Sequence, residues 1–178
     1  MTLKRSLPEI LIILTILLVT NEKLHAQQSG TKRFPDKMQF DLGVFDCLDK
    51  QQSMTGFVDV QYQIGTKIKI LYPVAGFLCH FNDGYYLYGG IILPIELNHH
   101  LILQPSFAPG YYVEGENSID LGYPLEFRTG VALIYQVKES FSLGLEFTHI
   151  SNANLGHSNP GIETIGLLFR FPVTRTGL

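Results

Sequence analysis

From Leu121 to Val137 the chain alternates with a period of two. The odd positions are Leu121, Tyr123, Leu125, Phe127, Thr129, Val131, Leu133, Tyr135 and Val137; the even positions are Gly122, Pro124, Glu126, Arg128, Gly130, Ala132, Ile134 and Gln136. Successive side chains of a strand point to opposite faces, so this stretch makes one greasy face and one face of charges and small residues. The same split recurs in Phe141, Leu143, Leu145 and Phe147 against Ser142, Gly144, Glu146 and Thr148. It recurs again in Ile165, Leu167, Phe169 and Phe171 against Thr164, Gly166 and Arg170, and in Leu101, Leu103, Phe107 and Tyr111 against Gln104, Ser106 and Gly110.

Eight strand-like runs are expected: 38–47, 54–63, 69–80, 85–96, 100–113, 122–137, 140–150 and 162–171. Turn residues such as Asn82-Asp83-Gly84 and Lys138-Glu139 separate them. No helical period interrupts them. Eight strands in one up-and-down meander predict an all-β, eight-stranded antiparallel barrel. Its lumen would be just wide enough to be filled by side chains, which excludes a diffusion pore.

Alternation cannot say which face points inward. A soluble lipid-carrier barrel would bury the apolar face, whereas a transmembrane barrel turns it to lipid and keeps Glu126, Arg128, Glu146 and Arg170 in the lumen. The transmembrane form is favoured by strands long enough to cross a bilayer, which takes about 9–11 residues. It is favoured too by aromatics near strand ends, Tyr85, Tyr86, Tyr111, Tyr112, Tyr123 and Phe171, as in interfacial girdles.

The N-terminus fits that destination. Lys4 and Arg5 precede an apolar run from Ile10 to Val19, and Leu24-His25-Ala26 ends a polar stretch before Gln27. This is the layout of a secretory signal peptide over 1–26, with no lipobox cysteine. The run is too short for a transmembrane helix, which needs about 20 residues. The remainder, 27–178, is expected to be the barrel domain, exported to the bacterial outer membrane. Thirteen basic residues against sixteen acidic ones exclude a nucleic-acid binder. A chain with 46% hydrophobic and 16% charged residues is not a disordered one. Cys47 and Cys79 fall on the first and third runs with a strand between. Their Cα atoms would then lie about 10 Å apart, beyond the bridging limit of about 7 Å, so two free thiols are expected.

The last hairpin carries chemistry. If it is symmetric about Gly156, residues whose numbers sum to 312 face each other, and His149 lies opposite Glu163 with Cβ atoms about 5 Å apart. Ser151, two residues from His149, projects from the same face. All three follow the parity of the apolar, lipid-facing surface. A carboxylate and an imidazole there are costly and suggest a role; at the rim of the barrel they cost little, and the bland reading stays open. In triad logic Ser151 attacks an ester carbonyl, His149 takes its proton and Glu163 orients the imidazole. Asn152, Asn154 and Asn159, with the loop amides, are available as oxyanion donors. No metal set is expected: His99 and His100 are adjacent and point to opposite faces.

His149-x-Ser151-Asn152-Ala153 followed by Asn159-Pro160-Gly161-Ile162-Glu163 resembles the C-terminal signature of the lipid A 3-O-deacylase (PagL) family of outer-membrane acyl hydrolases. The spacings of two and twelve match that family's triad, over about the last quarter of the chain. The resemblance implies a serine carboxylic-ester hydrolase with His149, Ser151 and Glu163 as catalytic residues. It further implies Asn159 as an oxyanion donor and Phe127 and Asn152 as supporting residues. Where the family pattern has a glycine whose amide helps form the oxyanion hole, this chain has Asn154, a residue that tolerates positive φ better than most. The implied reaction releases a 3-hydroxyacyl chain from lipid A of lipopolysaccharide, without a cofactor. With both termini periplasmic, the last loop would lie at the outer-leaflet surface. The sequence leaves a homodimer open. The competing class is a non-catalytic eight-stranded barrel, an adhesin or a structural or resistance protein.

Overall fold

The structure, a computed structural model, describes residues 34–48, 54–66, 70–116 and 118–173. The expected signal peptide, 1–26, lies outside the described residues. Among the described residues nine strands follow in order: β1 (Asp36–Phe45), β2 (Thr55–Gln63), β3 (Tyr72–His80), β4 (Gly84–Ile92), β5 (Ile95–Glu96), β6 (Leu101–Val113), β7 (Leu125–Lys138), β8 (Phe141–Ser151) and β9 (Ile162–Val173). Neighbours pair antiparallel, β1 pairs with β9, and β4 pairs with β6, which closes the sheet.

The barrel has eight staves because β4 and β5 are two pieces of one. Pro94 offers no N–H to a ladder, so β4 stops at Ile92 and pairing with β6 resumes at Ile95. The Leu93 amide bridges the break by donating to the Pro105 carbonyl at 2.9 Å. The single run expected over 85–96 is thus interrupted. Cys47 also departs from expectation. It lies just past the end of β1, while Cys79 is within β3, and both are free.

The apolar face is outside. Phe40 and Leu42 on β1, Leu87 and Ile91 on β4, Val131 and Leu133 on β7, Leu145 and Phe147 on β8, and Ile165 and Leu167 on β9 are all exposed. Glu126, Arg128, Glu146 and Arg170 are all buried, with Asp41, Asp59, Gln39 and Gln61 beside them. That is the inversion of a transmembrane barrel, and strands of 9–14 residues are long enough to cross. The chain is an eight-stranded antiparallel transmembrane β-barrel.

Leu145, 56% exposed, sits mid-strand between Leu133 and Leu167. Leu145→Arg is expected to cost about 2–4 kcal/mol, the penalty for arginine near the bilayer midplane. Urea unfolding in lipid vesicles would measure it. A change within about 0.5 kcal/mol, as at an ordinary solvated surface, would contradict the lipid-facing assignment.

The lumen is filled. Arg128 Nη2 lies 3.3 Å from Asp59 Oδ2 and 3.3 Å from Glu146 Oε2, with its guanidinium 4.9 Å from the centre of the Tyr88 ring. The Tyr88 hydroxyl donates to Asp59, and the Gln39 amide donates to Asp41 and Glu146. Arg170 donates to Gln104 at 2.8 Å. Glu126 faces the lumen as its parity placed it, but it does not join this network. It lies one row nearer the barrel end, while Arg128 reaches away to β2 and β8, and among the described residues its carboxyl oxygens have no hydrogen-bond partner.

Above the network an apolar plug of Phe45, Phe57, Leu78, Tyr86, Tyr112, Leu121, Ile150 and Ile162 closes the end that carries the β8–β9 loop. Tyr86 and Tyr112 are therefore interior residues and not girdle ones. Each is half of a Tyr-Tyr pair, and adjacent residues on a strand must face opposite sides. Their partners Tyr85 and Tyr111 are the exposed members.

Candidate active site at the β8–β9 hairpin

The β8–β9 register runs from Ser142 opposite Arg170 to Ile150 opposite Ile162, and sets His149 directly across from Glu163. The two side chains meet on the outer wall, His149 Nδ1 lying 2.9 Å from Glu163 Oε1. The His149 side chain is 43% exposed and that of Glu163 26%, so the pair is open to anything lying against the barrel. On the inner side of the same strand pair, Thr148 and Thr164 are buried and hydrogen-bonded at 2.6 Å. They pin the two strands directly behind the imidazole and the carboxylate.

Ser151 ends β8, on the same face as His149 and opposite Phe127 of β7. No hydrogen bond joins Ser151 to His149 among the described residues. Such contacts are often long before substrate binds. Phe127 stacks on Phe107, ring centres 6.1 Å apart, and makes an aromatic wall beside the serine.

The loop after Ser151 is tightly specified. Ala153 and Asn154 have φ of 53° and 63°, and the Leu155 amide donates to the Asn152 carbonyl at 3.0 Å. Two consecutive left-handed residues inside a four-residue turn make a type I′ turn. Asn154 therefore adopts the backbone conformation that a glycine would take there. The three asparagines form one set. The Asn152 amide donates to Asn159 Oδ1 at 3.0 Å, and Asn159 Nδ2 donates to Asn154 Oδ1 at 3.2 Å. Asn152 is fully buried, and its Nδ2 donates to the Leu121 carbonyl at 2.6 Å and the Ser158 carbonyl at 2.7 Å.

Two features escape a reading of the sequence. Gly161 has φ of 74°, and a Cβ there would lie 2.8 Å from His149 Cε1, so the glycine makes room for the imidazole. The Pro160-Gly161 pair before β9 was the available signal. The second is the β6–β7 loop, which packs onto the β8–β9 loop. A Cβ on Gly122 (φ 81°) would meet Ser158 Oγ at 2.4 Å, and one on Gly156 would meet the Gly122 carbonyl at 2.4 Å. The alternation carried the expected strand back to residue 122, whereas β7 begins at Leu125, and nothing in that pattern announces the loop contact.

Cys47 lies close by, its amide donating to the Glu163 carbonyl at 2.9 Å. Partial burial chiefly, and then the carboxylates of Glu163 and Asp46, push its thiol pKa up. It is a poor nucleophile there, since the thiolate is the reactive form. Among the described residues no group of three or more His, Cys, Asp or Glu side chains is arranged to hold a metal ion.

Comparison with known proteins agrees with this architecture. The crystal structure of the outer membrane enzyme PagL is 18% identical, with a TM-score of 0.59, and covers 77% of this chain and 99% of its own. Neisserial surface protein A is 11% identical with a TM-score of 0.57, covering 80% of this chain and 99% of its own. A de novo designed transmembrane β-barrel is 14% identical with a TM-score of 0.55, covering 82% and 100%. At these identities the likeness shows the fold. No curated protein matches the chain by sequence. The family model for lipid A 3-O-deacylase (PagL) matches residues 49–172, which takes in β2 to β9 and the whole hairpin, and the chain belongs to that family.

Proposed function

We propose that this barrel is an outer-membrane esterase that hydrolyses the 3-O-linked acyl chain of lipid A. The observation that carries the reading is the His149–Glu163 hydrogen bond on the lipid-facing wall, with Ser151 two residues along the same face. Ser151 is the nucleophile. His149 takes its proton through Nε2 and returns it to the departing sugar hydroxyl. Glu163, bonded to Nδ1, holds the tautomer and stabilises the imidazolium. Water then attacks the acyl-enzyme by the same proton path and releases the 3-hydroxy fatty acid.

Asn159 and the backbone amides around Asn154 supply the oxyanion donors. Asn152 serves as a support, because its amide hydrogens already hold the two loops together. Phe127 flanks the serine and shields it from water. A site on the outer wall suits a lipid that arrives sideways through the membrane. With residues 1–26 removed as a signal peptide and both termini periplasmic, the hairpin faces the outer leaflet, where lipopolysaccharide resides.

Mass spectrometry of lipid A incubated with the detergent-solubilised protein tests this. Loss of one 3-hydroxyacyl chain is expected. An unchanged lipid A, from a barrel that still shows heat-modifiable migration, would favour a non-catalytic barrel.

Gly161→Ala should act through the site. A non-glycine residue in the left-handed region costs about 1–2 kcal/mol. The new methyl also pushes on the imidazole, and displacement of a catalytic group by about 1 Å can cost about 100-fold in rate. The expected outcome is a fall of about that size in kcat with the barrel still folded. Wild-type kcat in the variant would show that the ring has freedom the geometry denies it.

A further inference from the structure

Beside the triad, where the β6–β7 loop meets the β8–β9 loop, lies a cavity of about 320 Å³ that the chemistry above does not use. Its walls are Tyr111 and Tyr112 at the end of β6, Glu114 beyond it, Asp120 and Tyr123 from the β6–β7 loop, and His157 from the loop that follows Ser151. The size falls within the range of about 300–1,000 Å³ found for small-molecule pockets. We propose that this cavity is a saccharide subsite that receives a glucosamine ring of the lipid A headgroup; the inference rests on the deacylase reading.

The position fits first. Tyr111 is opposite Leu125, two residues beyond Phe127, and Phe127 is opposite Ser151. At about 3.3 Å per residue and 4.8 Å between strands, the cavity lies about 12 Å along the wall from the serine. That is the reach of a disaccharide headgroup whose ester is at Ser151. The direction also fits, because the cavity lies beyond Ser151 toward the barrel end, while the apolar wall that would meet the acyl chain runs the other way.

The lining is suited to a sugar. Tyr111 and Tyr123 are exposed aromatic rings against which the C–H face of a pyranose can lie. Asp120 and Glu114 are acceptors for hydroxyl and amide hydrogens. Asp120 is held in place: Oδ1 accepts the Gly122 amide at 2.6 Å, and Oδ2 lies 3.5 Å from His157 Nε2. Among the described residues the lining holds two carboxylates and no lysine or arginine. It therefore favours the neutral edge of the ring and turns the phosphates away.

The test compares purified lipid A, free of core sugars, with a p-nitrophenyl fatty acyl ester that has a chain but no sugar. Tyr111→Ala and Tyr123→Ala are each expected to raise KM for lipid A about tenfold, leaving kcat and the rate on the nitrophenyl ester unchanged. Tyr135→Ala removes an exposed tyrosine near the opposite end of β7 and should change neither, which separates a subsite from a general membrane anchor. The subsite is overturned by an unchanged KM, by equal losses on both substrates, or by an effect seen only with lipopolysaccharide that carries core sugars.

A catalysis-independent measurement completes it. Saturation-transfer NMR with the fully deacylated glucosamine disaccharide should show contacts to the wild type that weaken in Tyr123→Ala. Absent contacts overturn the subsite. Contacts retained by a protein inactive on both esters support the subsite and overturn the deacylase reading alone.

Discussion

Ser151→Ala is expected to abolish release of the 3-hydroxyacyl chain, lowering kcat by at least about a thousandfold, while the barrel folds as before. The magnitude follows from how triads act. Members of a nucleophile–base pair work as a unit, and loss of the nucleophile removes the covalent route entirely. What survives is what oxyanion donors and binding supply on their own. Folding should be untouched because Ser151 sits at the outer end of β8, part-exposed, with Asn152 and not the serine holding the loop. Lipid A mass spectrometry beside heat-modifiable migration reads both. Equal hydrolysis by wild type and variant would remove Ser151 from the mechanism.

Glu163→Gln gives a graded second point. The amide keeps the shape but no longer compensates a positive imidazole, and it can offer His149 Nδ1 the wrong hydrogen. Losses of about 10⁴-fold in kcat are known when an orienting acid becomes an amide. His149 here is 43% exposed, so solvent shares the work of stabilising the imidazolium, and a smaller loss of about 100-fold is expected. Steady-state hydrolysis of a nitrophenyl ester would resolve it. A wild-type rate would mean that the 2.9 Å contact between the two side chains has no part in the reaction.

Both predictions depend on a register that local sequence could specify. The β8–β9 loop is long, ten residues from Asn152 to Gly161, but the parity of Phe141 to Phe147 and of Ile165 to Phe171 fixes which faces match, and a one-residue slip would turn every apolar side chain inward. Parity together with symmetry about Gly156 gives the pairing of His149 with Glu163 that the structure shows. Contacts between distant segments were not legible in the same way. The acceptor for Asn152 is the Leu121 carbonyl, thirty-one residues upstream; the alternation put Leu121 on the outward greasy face, whereas it is buried in the loop before β7. Asp41 and Asp59 stand on their strands like any other polar residue; only barrel closure brings them to Arg128. The break after β4 was written in Leu93-Pro94, but its size depended on β6 being there to bridge it.

Arg128→Met carries the largest expected effect on stability. Arg128 is the cation shared by the buried carboxylates of Asp59 and Glu146, with Asp41 tied to Glu146 through Gln39. Removing one partner of a buried ion pair leaves charges that can neither reach water nor find a counterion, at a cost of about 3–5 kcal/mol. Urea unfolding in lipid vesicles should show a loss of that size. Adding Asp59→Asn and Glu146→Gln should restore most of it, since a buried pair replaced as a whole is often close to neutral. A loss below about 1 kcal/mol in the single variant, typical of an exposed pair, would mean that water reaches the network and the lumen is not closed. The fraction of Arg128→Met that folds should still deacylate lipid A, because Arg128 points inward while its neighbour Phe127 faces Ser151 on the outer wall. The two sides of β7 thereby carry separable duties, and the alternation that first marked this strand is what divides them.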